Sequence, residues 1–258
     1  MQRIIFALIL ILLLDTMNNI FKTIFIGTFA VALMSFAPSS TDDAAIQNWE
    51  AGRTVSVVTL RKYDVGKLFS SEPLPDRVFS RMQGKSYKKG CTVPREQLRY
   101  VKVLHWNGDG KVCLGEIVCH RSIAADLVEI FRELYNARYP IGRIVLIDNY
   151  DADDTSSMCD NNTSCFNYRH VAGTRVPSNH SYGKAIDINP LYNPYVKKKA
   201  DGTLTVSPKT GRQYADRSKT FKYKIDRQDL CYKLFTKHGF TWGGSWKRSK
   251  DYQHFEKK

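Results

Sequence analysis

Two short stretches constrain this chain more than any other. One is Ser178-Asn-His-Ser-Tyr-Gly-Lys-Ala-Ile-Asp-Ile-Asn189, and the other is Asp251-Tyr-Gln-His-Phe-Glu256 close to the C-terminus. The first carries His180 and Asp187; the second carries Asp251 and His254. Two imidazoles and one carboxylate form a common catalytic zinc set whose fourth position is left to water. A further carboxylate three residues before the last histidine is placed to act as general base toward that water. Gly183 predicts a turn after His180, and Ala185 to Asn189 reads as a short strand leaving it. On such a strand Asp187 points away from Ile186 and Ile188, so the apolar pair faces a core and the carboxylate a cleft. Tyr252 to Glu256 alternates in the same way. The residues alone also admit a plainer reading, in which each histidine is an ordinary polar side chain at the surface.

The pattern S-x-H-x-x-G-x-A-x-D-x-N followed by D-x-x-H-F resembles the M15 family of zinc D,D-carboxypeptidases and related peptidoglycan endopeptidases, to which the VanY-type D-alanyl-D-alanine carboxypeptidases belong. Softer similarity runs upstream through Asn161 to Arg169 and Arg81 to Tyr87, so the resemblance spans residues 75 to 258. It implies an α+β, hedgehog-like peptidase fold: a mainly antiparallel sheet with flanking helices and zinc on the exposed sheet face. It implies His180, Asp187 and His254 as the ligands of one zinc ion per chain. Asp251 takes the place of the base, where many relatives carry Glu, one methylene longer. Arg169 matches an arginine that stabilises the oxyanion, and Ser178 a serine that touches substrate; Lys85 and Ser86 match a substrate-side segment more weakly. The implied activity is that of an exported zinc metallopeptidase acting on peptidoglycan stem peptides, with the D-Ala-D-Ala bond first. An L-Ala-D-Glu-type endopeptidase and a noncatalytic, zinc-containing cell-wall binding protein are the alternatives. A basic polyanion binder with incidental histidines is the reading that needs no resemblance.

The rest of the chain sets the context. Its 258 residues, 43% of them hydrophobic, are ample for one core. Residues 4 to 14 form a short apolar run broken by Asp15, and Met17 opens a second pattern that is apolar from Thr23 to Phe36. This predicts a signal peptide over residues 1 to 37, ending in Ser35-Phe-Ala37, with Met17 an alternative start. Neither run reaches the ~18–20 uninterrupted apolar residues of a membrane span, so membrane association is expected only through an uncleaved N-terminus. The expected organisation is a leader (1 to 37), a lead-in (38 to 74) and the peptidase-like domain (75 to 258). The expected location is periplasmic or extracellular, at the cell envelope, and a monomer is expected.

Net charge is +14; removing residues 1 to 37 takes away two basic residues and one acidic residue and leaves +13. Such charge attracts polyanions. No nucleic-acid module is recognisable, so an anionic cell wall or membrane surface is the partner expected, with simple solubility as the alternative meaning of the charge. The six cysteines, Cys91, Cys113, Cys119, Cys159, Cys165 and Cys231, are an even count that points to disulfides in an exported protein. Cys113 with Cys119, and Cys159 with Cys165, are close enough in sequence to close small loops.

Periodicity predicts strands at Thr54 to Leu60, Leu98 to His105, Val112 to Val118 and Ile144 to Ile147, with a turn at Asn107 to Gly110. A helix is predicted after an N-cap at Ser122, with Ile123, Leu127, Ile130, Phe131 and Leu134 on one face. A second is predicted after Asp226, ending at Gly239. Residues 149 to 162 read as a polar loop, with a second metal loop as the alternative. Lys197 to Lys219 reads as an exposed hairpin at the rim of the cleft. Trp242 and Trp246 are candidates to line that cleft or to pack in the core.

Overall fold

The computed structural model describes residues 40–258. The expected leader and its cleavage signal lie outside the described residues. Among the described residues, no helix is long and apolar enough to cross a membrane. In chain order the elements are α1 (Ser40–Asn48), β1 (Thr54–Val55), α2 (Val57–Leu60), β2 (Ser70–Pro73), α3 (Asp76–Met82), β3 (Leu98–Trp106), β4 (Val112–His120), α4 (Arg121–Asn136) and α5 (Asp154–Cys159). There follow β5 (Ala185–Asp187), β6 (Tyr195–Lys198), β7 (Leu204–Ser207), α6 (Leu230–Lys237), β8 (Thr241–Trp242), β9 (Lys250–Asp251) and β10 (His254–Glu256).

The strands form three antiparallel sheets, ordered β1-β4-β3-β2, β5-β10-β8 and β7-β6-β9. This is the mixed, antiparallel α+β class that the resemblance implies. The long β3–β4 hairpin is the platform of the largest sheet. Asn107 closes it: its Oδ1 accepts from the backbone N–H groups of Asp109 and Lys111 at 3.0 and 2.9 Å. Burying both faces of this hairpin explains why β4 is almost wholly apolar. The exceptions are His120 at its end and Glu116, which is buried but accepts two hydrogen bonds from Arg81, at 2.6 and 2.9 Å, and one from the Tyr100 hydroxyl at 2.8 Å. α4 lays Ile123, Leu127, Ile130, Phe131 and Leu134 against the sheet, all fully or nearly fully buried.

Local chemistry moves several boundaries. The predicted strand Thr54–Leu60 ends at Val55, because the Ser56 side chain accepts from Val58 N–H and starts α2. The cap of α4 is His120, whose Nδ1 accepts from Ser122 N–H; Ser122 already lies inside the helix. Likewise Asp229 caps α6, while Asp226 makes a turn just before it, accepting from Gln228 N–H. Ile144–Ile147 is buried, as an internal strand would be, but runs as irregular extended chain into a 3-10 turn. Within the lead-in, α1 puts Ala45 and Ile46 into the core, and Trp49 just after it donates to Gly115 O at 2.9 Å.

The expected disulfides are not present. All six cysteines are free thiols. Cys113 and Cys119 both lie on β4, and six residues of strand separate their Cα atoms by about 20 Å, far beyond what a disulfide spans. Cys159 hydrogen-bonds with Thr210 Oγ1 at 3.3 Å, whereas Cys165 donates weakly to Gly183 O at 3.6 Å.

Because Leu127 is fully buried between α4 and the sheet, Leu127→Ala is expected to lower unfolding stability by about 2–5 kcal/mol. Chemical denaturation measures it, and an unchanged midpoint and slope would mean the helix does not pack there.

Candidate metal centre

The site is built where the second sheet pairs β5 with β10. Their antiparallel register sets His254 directly opposite Asp187, with Phe255 opposite Ile186. Alternation then separates the faces: Ile186, Ile188 and Phe255 are fully buried in the core, and the His254 and Asp187 side chains emerge together on the other face. The third residue arrives on a 3-10 turn, Asn179–Tyr182. Ser178 caps this turn, its hydroxyl accepting from His180 N–H, and Gly183 ends it with φ of +63°. A Cβ at Gly183 would lie 2.7 Å from His120 N and 3.1 Å from Cys119 C. Only glycine both adopts this backbone and lets the turn sit against the end of β4.

Three ligand atoms converge. His254 Nδ1 lies 3.1 Å from Asp187 Oδ1 and 3.3 Å from His180 Nε2, and His180 Nε2 lies 3.4 Å from Asp187 Oδ1. Two ligands at tetrahedral angles around zinc, at the usual bond lengths, are separated by about 3.3 Å. The triangle therefore fits one tetrahedral ion, with the fourth vertex left over. Among the described residues this is the one group of His, Cys, Asp and Glu that could hold a metal ion. The three residues are 4%, 9% and 6% exposed for His180, Asp187 and His254, so the group is more covered than an exposed sheet face suggests.

Hydrogen bonds fix which nitrogen each ring presents. His180 Nδ1 lies 2.7 Å from Cys165 O, and since a carbonyl only accepts, that nitrogen is the donor and Nε2 faces the site. His254 does the reverse: its Nε2 meets Glu256 Oε2 at 3.0 Å, and Nδ1 faces the site. Burial disfavours a charged His254, but the hydrogen bonds to Asp187 and Glu256 outweigh it and raise its pKa to about 10. For Asp187, burial pushes upward, yet the attraction and hydrogen bonds of His180 and His254 prevail and hold the carboxyl well below its ordinary range.

Asp251 stands beside this group without joining it. β9 carries it and pairs with β6, Asp251 opposite Tyr195. The D-x-x-H spacing thus steps from one small sheet to another. Burial first, and then the negative charge of Asp187, raise the Asp251 carboxyl to about 6, while Gln253 Nε2 donates to its Oδ1 at 3.1 Å. Gly243 makes room for the step: a Cβ there would meet Asp251 O at 2.7 Å, Asp251 Cβ at 2.8 Å and His254 Cβ at 3.2 Å.

Arg169 is tied to the same loop through its backbone. Its carbonyl accepts from Ser178 N–H at 3.0 Å, and its N–H donates to Ser181 Oγ at 2.9 Å. Its guanidinium forms an ion pair with Asp154, which also accepts from Asn167 Nδ2 at 3.0 Å. Ser178 is buried, and the task visible for it is capping the His180 turn. Lys85 and Ser86 are both engaged with Asp148: Ser86 through its N–H and hydroxyl at 3.0 Å, Lys85 through the Asp148 carbonyl at 3.1 Å. Trp242 is a core residue, packed against Phe255 and Tyr232; Trp246 is half-buried with its ring 5.3 Å from that of His254. The carboxylates of the polar stretch 149 to 162 are occupied elsewhere: Asp151 with Lys85, Asp153 as the cap of α5, Asp160 with Arg143.

Sequence reasoning overlooks three residues at this site. Glu256 lies two positions after His254 on the same strand face, a relation that alternation makes visible. Asn179 and the Cys165 carbonyl leave no such trace, because the fold alone brings them in.

Residues 172–257 match the family model described as D-alanyl-D-alanine carboxypeptidase, an M15 peptidase family. The matched stretch holds His180, Asp187, Asp251 and His254, and begins after Arg169. Comparison with curated proteins and comparison with solved structures gave no match.

Gly243→Ala is expected to cost about 1–3 kcal/mol and to weaken zinc binding, because the clash falls on backbone that carries Asp251 and leads to His254. Denaturation together with zinc titration checks this. Wild-type stability and affinity in the variant would show that the close approach is not needed.

Proposed function

We propose, from the premise that residues 172–257 are an M15 family peptidase sequence, that the chain is a zinc-dependent peptidase of peptidoglycan stem peptides. The D-Ala-D-Ala bond is the first candidate for cleavage. Export to the cell envelope belongs to the same proposal, since that substrate lies outside the membrane. The observation that carries it is the His180–Asp187–His254 triangle, with ligand atoms 3.1 to 3.4 Å apart, beside a half-buried carboxylate, Asp251, that is no part of it.

His180 Nε2, Asp187 Oδ1 and His254 Nδ1 would hold the ion. When bound, zinc supplies a Lewis acid and brings the pKa of water down to roughly 7. The protein's own groups do the rest. Asp251, when ionised, takes the proton of the attacking water and passes it to the leaving amine. Burial keeps that carboxylate poorly solvated, which raises its affinity for the proton it must carry. Arg169, held by Asp154, is the cation assigned to the developing oxyanion. The chain's +14 charge favours encounter with an anionic wall polymer.

The pH dependence follows from Asp251. Its raised pKa means that the neutral acid dominates below about 6, where it cannot accept a proton. Turnover is expected to fall as pH drops through that value. Asp251→Asn is expected to keep zinc, lose turnover by about 10²-fold or more, and lose that acidic limb. The measurement is the mass of products from stem peptides, with zinc and with a chelator. Chelator-sensitive loss of a terminal alanine supports the proposal; an internal cut makes the chain an endopeptidase. No cleavage by a folded, zinc-loaded chain contradicts the peptidase reading.

A further inference from the structure

We infer that Glu256, held by Asn179, is a positioning residue that decides through which nitrogen His254 binds metal. The inference rests on the zinc reading above and concerns residues that neither the motif nor the family match assigns. Glu256 Oε2 accepts from two donors at once: His254 Nε2 at 3.0 Å and Asn179 Nδ2 at 2.6 Å. Those donors come from the two pieces of chain that deliver the histidines. Asn179 opens the 3-10 turn that carries His180, and Glu256 ends the strand that carries His254. One carboxylate oxygen therefore fastens the two ligand-bearing segments together on the side away from the metal atoms.

The consequence for the ring is specific. An imidazole binds metal through either nitrogen, and the hydrogen bond made by the other one settles the choice. His180 presents Nε2 because its Nδ1 is held by the Cys165 carbonyl. His254 presents Nδ1 because its Nε2 is held by Glu256. Among the described residues no other hydrogen bond holds His254 Nε2, so without Glu256 rotation about the side-chain bonds would offer the wrong nitrogen or the wrong angle. A carboxylate in this position also strengthens the donor atom facing the metal. Gln at 256 keeps an accepting oxygen and so keeps part of this function; Ala keeps none.

The side chain is placed so that its removal is not a packing lesion. Glu256 is 20% exposed, and with Asn179 it borders a cavity of about 380 Å³ shared with His120, Tyr182 and Lys184. Truncation extends a space that is already open to water.

The test uses the full chain with Zn²⁺ and Co²⁺ as probes. Zinc affinity is measured by competition with a chromophoric chelator for wild type, Glu256→Ala, Glu256→Gln and Asn179→Ala, and folding is checked by near-UV circular dichroism. Glu256→Ala is expected to bind zinc about 10–100-fold more weakly, with an altered Co²⁺ visible spectrum. Glu256→Gln is expected to lie between wild type and Glu256→Ala, and Asn179→Ala to show a smaller loss. A folded Glu256→Ala with wild-type zinc affinity and an unchanged Co²⁺ spectrum overturns the inference while leaving the metal centre standing. A wild-type chain that binds no Zn²⁺ overturns the metal centre, and this inference with it.

Discussion

The register between β5 and β10 is the constraint on which the site depends. It places His254 opposite Asp187, and strand pleating does the remainder: one face carries Ile186 and Phe255 into the core, the other carries the two polar groups together. A slip of one residue would exchange these faces. Slipping β10 past β5 by one residue would turn His254 toward the core and Phe255 outward, and would part His254 from Asp187. The free energy that fixes the metal-ligand geometry is therefore largely ordinary hydrophobic burial behind it. Polar groups ask only that their partners be in reach.

Such a cluster is costly on its own. Asp187, His180 and His254 are taken out of water together, and their mutual attraction offsets the loss of hydration. Further hydrogen bonds anchor the group at its back: the Cys165 carbonyl on His180, Glu256 on His254, and Asn179 on Glu256. The glycines act at the same level. Gly183 allows the His180 turn to press on the end of β4, and Gly243 allows β9 and β10 to pass its backbone. Asp251 is thereby brought near the ligands on a different sheet, close enough for the charge of Asp187 to raise its pKa, yet outside the triangle itself.

Much of this was legible in the sequence, and the parts that were not have physical reasons. The alternation of Ala185–Asn189 correctly separated Asp187 from its apolar neighbours, since period two depends only on strand pleat. The apolar stripe of α4 was likewise readable from Ile123 to Leu134. The cap was not, because His120 supplies a ring nitrogen where a hydroxyl at Ser122 is the commoner signal. Thr54–Leu60 had strand composition throughout, but one side-chain acceptor at Ser56 was enough to start a helical turn. The close cysteine pairs looked like loops because sequence distance says nothing of extension; Cys113 and Cys119 proved to lie on one straight strand. Glu256 could have been found from its i, i+2 relation to His254. The Arg169–Asp154 pair could not, since it depends on how the polar stretch before it folds back.

The central claim is that His180, Asp187 and His254 bind one metal ion, each through the atom that the hydrogen-bond pattern leaves facing the others. Anomalous diffraction from crystals of the zinc-loaded chain tests this most directly. One strong zinc peak is expected about 2.0–2.2 Å from His180 Nε2, Asp187 Oδ1 and His254 Nδ1, with Glu256 still on His254 Nε2. A peak bound through His254 Nε2, or zinc bound elsewhere while these three side chains remain paired with one another, would contradict it.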